Sequence, residues 1–525
     1  MQGEWGGDSV GEDVWETCRE LVPVGSVFAF LAEHREVLFP KSMFADMYPS
    51  GNGRPSMPPQ VLAATVVLQS LHGLSDFETV QELRCDLRWK AACGLGLHDT
   101  AFDSSLLTYF RRRLQRSGDP NRLFTKVREV VAATGVLKGR QRRALDSTVL
   151  DDAVATQDTV TQLVAAIRRV IREVLGAQTV ADRWCTAHDY TDPGKPRIAW
   201  NDVQARADLV DALVTDVLNL LGRLPEQELG ETAANAVGLL ALAAGQDVEP
   251  VDGSDGRDGR WQITQGTAHD RTVSTVDPEV RHIHKNRSRH QEGFRAHVAF
   301  EPETGLFTDV AAGSGAGNHE AAVARDLLAQ EVLPVTVLGD AAYGTGELRE
   351  HLQAQGHDPV LKPLPLRAAV PGGFTSDQFT VDTEQGQVTC PAAHTVPLGR
   401  PLANGARQAQ FKKLCADCPL RDRCTRSKTG RTFTVHAKYD LLRAARDQAV
   451  ADPDWKAEYR RWRPPVERAI AWLVAKGNCR VPYRGVIKND TWLHHRAAAL
   501  NLRRLTNLGL TRTTTGAWTL APAVL

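Results

Sequence analysis

The chain has no net charge to spare: its 63 Lys and Arg are balanced by 63 Asp and Glu. Bulk electrostatics therefore do not advertise a nucleic acid partner. No apolar run is long enough to span a bilayer, which excludes a helical membrane protein. With 42% hydrophobic and 24% charged residues the composition is that of an ordinary globular protein. The stretch Met1-Gln2-Gly3-Glu4-Trp5 lacks a basic region followed by an apolar one, so no secretory leader is expected and a cytoplasmic, nucleoid-associated location is. Cysteine is sparse, nine in 525 residues, which argues against a disulfide scaffold. Cys18, Cys85, Cys93, Cys185 and Cys479 are scattered and read as small apolar side chains. At this length two or more units with sizeable cores are expected.

The charge that is present is unevenly spread. Between Trp455 and Leu505 stand twelve Lys or Arg against three acids, Glu458, Glu467 and Asp490. The segment from Arg111 to Arg143 is also basic, through Arg111, Arg112, Arg113, Lys138, Arg140, Arg142 and Arg143. Such clusters suit a polyanionic substrate, against the plain reading as solvated surface.

Taken in order, the chain is partly helical to about residue 56, ending in the turn-forming loop Pro49–Pro55. Pro58 and Pro59 predict a helix start ahead of Val61 to Leu68, Gly73 a stop, and Ser75 the cap of a second helix carrying Phe77, Val80 and Leu83. A third follows Asp103-Ser104-Ser105, with Leu106, Leu107, Phe110 and Leu114 inward and Arg111 to Arg113 exposed. Compact helices with a basic last member suit a helix-turn-helix DNA-binding unit, and a plain helical bundle fits the pattern equally. Arg142 to Leu150 reads as a strand. Leu163, Ile167, Val170, Ile171, Val174 and Leu175 then follow the helical period, as does Leu209 to Leu221, so 158 to about 250 is read as a helical insertion. Strands resume at Gly293–Phe300 and Gly305–Val310 with a hairpin turn at Glu303-Thr304-Gly305. A helix from about Glu320 to Glu331 feeds an apolar run that ends on Asp340. After a further helix and the strand Pro359-Val360-Leu361, residues 370 to 440 read as loop-rich, and the tail from Asp454 as helical.

Three carboxylates stand out. Asp146 lies inside a strand-like run, a costly place for a carboxylate unless it is paired or liganded. Asp340 terminates a buried strand, where α/β sheets place their ligands, against the plain reading as a turn Asp that caps the next helix. Glu467 follows Pro464-Pro465 in the first turn of a helix, a position the helix dipole favours in any case. Asp151, Asp152 and Asp158 are rival acids, read as surface or cap residues. Together the three suggest hard oxygen ligands for Mg²⁺ or Mn²⁺, and two such ions serve in-line displacement at a phosphodiester.

Leu145-Asp146-Ser147-Thr148, Leu338-Gly339-Asp340-Ala341-Ala342-Tyr343-Gly344 and Pro465-Val466-Glu467-Arg468 resemble the three blocks of bacterial insertion-sequence transposases of the DDE type. Asp277-Pro278-Glu279, the Gly293-Phe294-Arg295 strand, Gly317-Asn318-His319-Glu320, the Gly53-Arg54-Pro55 loop and Phe110-Arg111-Arg112-Arg113-Leu114 extend the likeness over most of the chain. The resemblance implies an α/β protein with an RNase H-like (retroviral integrase-like) catalytic core and the catalytic, metal-binding triad Asp146, Asp340 and Glu467. It departs from the family at Ser147, where many relatives have Gly. A Tyr, an Arg and a Lys usually flank the Glu. Arg463 is well placed, Tyr459 is one residue off, and Val474 stands at the Lys position with Lys476 nearby.

Cys390, Cys415, Cys418 and Cys424 form C-x24-C-x2-C-x5-C among Pro, Gly and charged residues, a spacing that suits a closed tetrahedral Zn²⁺ site. A loop-rich segment with little apolar content would need such a staple. Reduced, unliganded thiols are the alternative, with His394 as a substitute ligand. Some members of the family carry a similar Cys-rich insert between the second Asp and the Glu. His282, His284 and His290, among Lys285, Arg287 and Arg289, read as a basic loop near substrate phosphates or, equally, as a purely solvated loop, rather than as a metal site.

The resulting organisation is a helical DNA-binding region over 1–140, a first core strand over 141–157 and a helical insertion over 158–260. Core over 261–369, a Cys-rich insertion over 370–440 and a C-terminal helical part of the core over 441–525 complete it. The expected function is metal-dependent cleavage at insertion-sequence ends and strand transfer into target DNA. Double-stranded DNA is the expected partner and a homodimer the expected synaptic state, with Arg111, Arg112, Arg113, Arg463, Arg468 and Lys476 as DNA contacts. A nuclease without strand transfer and a non-catalytic DNA-binding derivative are the competing readings.

Overall fold

The computed structural model describes residues 1–3, 13–49, 55–253, 260–264, 268, 270–286, 289–315, 317 and 319–521, with backbone alone at 284–286, 289 and 290. Most of the expected loops 49–55 and 251–259, Asn318 and the basic side chains of 284–290 lie outside the described residues.

The centre is a mixed sheet around the strand Arg142–Asp151. On one side it pairs antiparallel with the long strand Arg289–Glu301, which in turn pairs antiparallel with Leu306–Gly313. On the other side Thr336–Gly339 and Asp358–Leu361 add in parallel. Arg281–Asn286 pairs with the start of the long strand. Side-chain alternation divides the sheet between two layers. Ala144, Leu150, Phe294, Val298 and Leu338 belong to one core, Leu145, Ala299, Val337, Tyr343 and Leu361 to the other. The second core is closed by the helices Glu320–Leu328 and Gly346–Ala354, the former three residues shorter than the sequence pattern suggests.

The first layer carries the helices Pro464–Val474 and Val486–Asn507, and it is continuous with the N-terminal helices. Pro59–His72 begins on its proline and stops at Gly73, whose φ of +70° is left-handed; a Cβ there would also lie 2.4 Å from the Lys476 carbonyl oxygen. Ser75 and Glu78 form the capping box of Asp76–Cys85. Ser105–Arg116 buries Leu107, Phe110 and Leu114. The helix Val486–Asn507 also covers the sheet edge: Asn501 exchanges two hydrogen bonds with the Phe307 backbone, and Asp490 accepts from the Ala312 N–H. That satisfies edge groups of Leu306–Gly313 that would otherwise invite another chain.

Two histidines in this layer are held neutral. Burial pushes His495 down to about 3, with Arg111 and His494 adding, and burial followed by Lys476 pushes His72 down to about 4. Unfolded histidine takes up a proton below about pH 6.5, so the unfolded state gains protons the fold refuses. The associated stability is complete above that pH and lost as pH falls towards the folded values. Between pH 7 and pH 5 the urea midpoint of the wild type should therefore fall further than that of His495→Gln; equal falls would refute the assignment.

The helices Thr159–Glu173, Ala177–Trp184, Val203–Arg223 and Glu231–Asp247 gather a separate core of Leu163, Ile167, Val170, Leu213, Val217 and Leu240. Asp158 caps the first of them, accepting from the Thr161 N–H. Residues 370–440 correct the expectation of an apolar-poor loop. Five short strands enclose a core of Phe379, Val388, Phe411 and Phe433, the Phe379 and Phe433 rings stacked 4.6 Å apart. Strands of three or four residues carry too little alternation to show through their turn formers. The closing hairpin of Leu510–Arg512 and Trp518–Leu520 was hidden for the same reason.

Candidate active site

Parallel pairing decides where the first two carboxylates sit. Ala144 is the register partner of Leu338, so Asp146, midway along its strand, and Asp340, just past the end of the adjacent one, each two residues further along, reach the same level. Asp340 ends its strand in a tight turn: its Oδ1 accepts from the Ala342 N–H at 2.9 Å and its backbone oxygen from Tyr343. Gly344 completes the turn where a Cβ would stand 2.3 Å from the Lys362 carbonyl oxygen. The buried Arg349 braces it, donating to the carbonyls of Gly344 and Leu361.

Asp146 is largely sheltered, and its Oδ1 accepts from the Ser147 N–H at 2.8 Å. Burial first, and then the charge of Asp340, hold its carboxyl above the ordinary range against the opposing pull of Arg463 and the Ser147 N–H. A proton is thus easier to place here than on a surface aspartate, as expected where two like charges are forced together.

Arg463, at the junction of the helices Pro453–Trp462 and Pro464–Val474, supplies the positive charge. Its Nη2 lies 3.1 Å from Asp146 and its Nη1 4.0 Å from Glu467. The side chain is 7% exposed, yet Nε and Nη1 have no hydrogen-bond partner, so a buried guanidinium is incompletely satisfied. Glu467, in the first turn of its helix, is 71% exposed and stands off from the two aspartates. Burial raises the Tyr459 hydroxyl, Arg463 opposes, and Asp340, Asp146 and Glu467 all add. One residue off in sequence, Tyr459 nevertheless lies within electrostatic reach of the whole triad.

As they stand, the carboxylates do not close into a cage. Among the described residues no group of three or more His, Cys, Asp or Glu is close enough to hold a metal ion. Their oxygen chemistry still fits a hard divalent cation, and the Arg463 guanidinium between Asp146 and Glu467 supplies counter-charge to them while keeping donors free for a further acceptor.

The four grouped cysteines do come together. Cys390, Cys415, Cys418 and Cys424 line one cavity of about 20 Å³ with Phe374 and His394. Burial raises the Cys424 thiol, as do the other three, against Arg431. They too fall short of a ligating group, and the local phenylalanine core removes the argument that only a metal could hold this segment.

The basic residues divide. Arg112, Arg113, Arg468 and Lys476 are exposed, with Arg113 over the Tyr48 ring at 4.4 Å. Arg111, expected exposed, is instead ion-paired with Asp76, only 11% exposed, and stacked over Tyr483 at 5.6 Å. Its charge is taken up by an acid 35 residues away. His282 lies 3.5 Å from Glu292.

Residues 16–113 match the family described as Transposase domain (DUF772), and residues 389–506 match the Transposase DDE domain. The second match contains Glu467 and the four cysteines; Asp146 and Asp340 lie outside both. No curated protein and no solved structure matches the chain. No described helix is long and apolar enough to cross a membrane. Together, the matches near the two ends of this mixed α/β chain indicate a DDE-type insertion-sequence transposase, an enzyme that cleaves DNA with a divalent metal such as Mg²⁺.

Proposed function

We propose that Asp146, Asp340 and Glu467 are the catalytic carboxylates of an RNase H-like core, and that the protein cuts the ends of its own insertion sequence and joins the freed 3′-hydroxyls to target DNA. The observation that carries this reading is the matched level of Asp146 and Asp340 on adjacent parallel strands, with the helix of Glu467 packed on the first of them. The strand order, three antiparallel and then two parallel, supports the core assignment. Bound Mg²⁺ or Mn²⁺ would there activate the attacking water or 3′-hydroxyl and stabilise the leaving oxygen. Asp146 and Asp340 would supply ligand oxygens to it, with Glu467 as the third carboxylate from its helix. Arg463 balances their charge until DNA arrives and then turns to a backbone phosphate. Arg112, Arg113, Arg468 and Lys476 hold the duplex through phosphate contacts, in a synaptic homodimer.

Labelled DNA bearing the element's own ends, incubated with Mg²⁺ or Mn²⁺ and a target plasmid, tests the reading. Joined products at 3′ ends are expected. Cleavage without joining would leave a nuclease, and binding without cleavage a DNA-binding derivative.

We further propose zinc at the four cysteines: lining one cavity, their thiolates would hold a tetrahedral Zn²⁺ only if they drew closer together. Metal analysis of the purified protein should then find one zinc per chain, lost in Cys418→Ser; zinc-free protein of unchanged stability would leave reduced thiols.

A further inference from the structure

On the face of the sheet opposite Asp146 lies a buried polar chain that the reaction, as derived so far, does not use. Ser147 and His297 are direct register partners across the strands Arg142–Asp151 and Arg289–Glu301. The hydroxyl of Tyr343, a residue with no exposed surface, lies 3.1 Å from His297 Nδ1, with the Ser147 side chain beside it. The geometry points to Tyr343 as a positioning residue whose hydroxyl, held by His297 beside Ser147, sets the separation of Asp146 and Asp340. This rests on the proposed triad and deepens it.

The placement carries the argument. Ser147 adjoins Asp146, and Tyr343 lies three residues past Asp340 with its own N–H bonded to the Asp340 backbone oxygen. The strand Thr336–Gly339 reaches Arg142–Asp151 by backbone pairing only from Arg142 to Ala144. Beyond Ala144, where the carboxylates stand, this hydroxyl ties the Asp340 turn to His297, which pairs in register with Ser147 of the first strand. It works against a real force, since the two carboxylates repel each other wherever both are charged. A phenol suits the task because its O–H can donate to one partner while its oxygen accepts from the other. A buried tyrosine needs some partner for its hydroxyl, but that need alone would not select the neighbours of both aspartates.

The test is Mn²⁺ binding to the full-length, DNA-free protein, measured calorimetrically or by electron paramagnetic resonance, beside the Mn²⁺ dependence of end cleavage. Tyr343→Phe, which removes one oxygen, should weaken Mn²⁺ binding about tenfold, the lower end for outer partners of metal ligands. It should raise the Mn²⁺ needed for half-maximal cleavage in parallel, while end binding in EDTA and the unfolding transition stay near wild type. His297→Leu should reproduce this, and His297→Gln, which can still bond the hydroxyl, should restore it. The Tyr343→Phe/His297→Leu double variant should be no worse than either single one. Unchanged Mn²⁺ affinity in Tyr343→Phe, or independent additive effects, would overturn the proposal. If Tyr343→Phe does not fold, Ser147→Ala and His297→Leu decide by the same readout. Asp340→Asn runs alongside: if it binds Mn²⁺ like wild type, the triad itself is wrong. If it loses binding while Tyr343→Phe keeps it, only the positioning role falls.

Discussion

Asp340→Asn is expected to lower the rate of end cleavage by on the order of a thousandfold or more while leaving end binding and the fold intact. The reason is local. The Asp340 Oδ1 accepts from the Ala342 N–H, and an asparagine Oδ1 keeps that bond, so the turn survives. What is lost is the negative charge that a hard divalent cation requires. Asp340 is also a cleaner choice than Asp146, whose carboxylate partners the buried Arg463; Asp146→Asn would strip that guanidinium of its counter-charge and destabilise the fold as well. Gel-based cleavage of end-labelled DNA, with binding measured by mobility shift in EDTA, separates the two effects. Cleavage within tenfold of wild type would remove Asp340 from the catalytic set.

The largest expected effect on stability belongs to Arg496, which is 1% exposed. Its guanidinium donates to the carbonyls of Ser70 and Leu71 at the end of the helix Pro59–His72, and to those of Leu473, Trp472 and Ala475 around the end of Pro464–Val474. One side chain thus caps two helix C-termini, where positive charge is favoured and orphan carbonyls need donors. Burial pushes its pKa down to about 10, so it remains charged at neutral pH. Arg496→Met should cost about 3–5 kcal/mol, since several buried backbone carbonyls lose their donor at about 1–3 kcal/mol each before the helix ends relax. Because Glu467 rides on one of the two capped helices, cleavage should fall together with stability. Arg496→Lys should recover only part of the loss, since an ammonium cannot spread its donors over both helix ends. Urea unfolding monitored by tryptophan fluorescence provides the measure. A midpoint near wild type for Arg496→Met would show that water can replace the guanidinium.

How much was legible depended on distance along the chain. The starts at Pro59 and Ser75, the hairpin at Gly305, and the helices of 158–250 were readable because each follows from a cap, a turn residue or a period within one element. Arg111 was misread for the complementary reason. A helical pattern shows which side of a helix is polar, and nothing in it reveals that Asp76, on a neighbouring helix, would claim the charge. Tyr459 shows the same limit from the other side: its offset in the sequence did not keep it from reaching the three carboxylates.

By itself, the sequence determined the local elements and the three motif blocks with their carboxylates. It also determined the cysteine spacing, since all of these are set by residues within a turn or two of one another. Tertiary structure alone decided that Ala144 pairs with Leu338 and so brings Asp146 level with Asp340. It also decided that Arg463 stands between Asp146 and Glu467, and that Tyr343 finds His297 behind the sheet. The physical reason is that strand register and ion pairing are settled by burying a shared core and neutralising buried charge, and both join residues far apart in the chain.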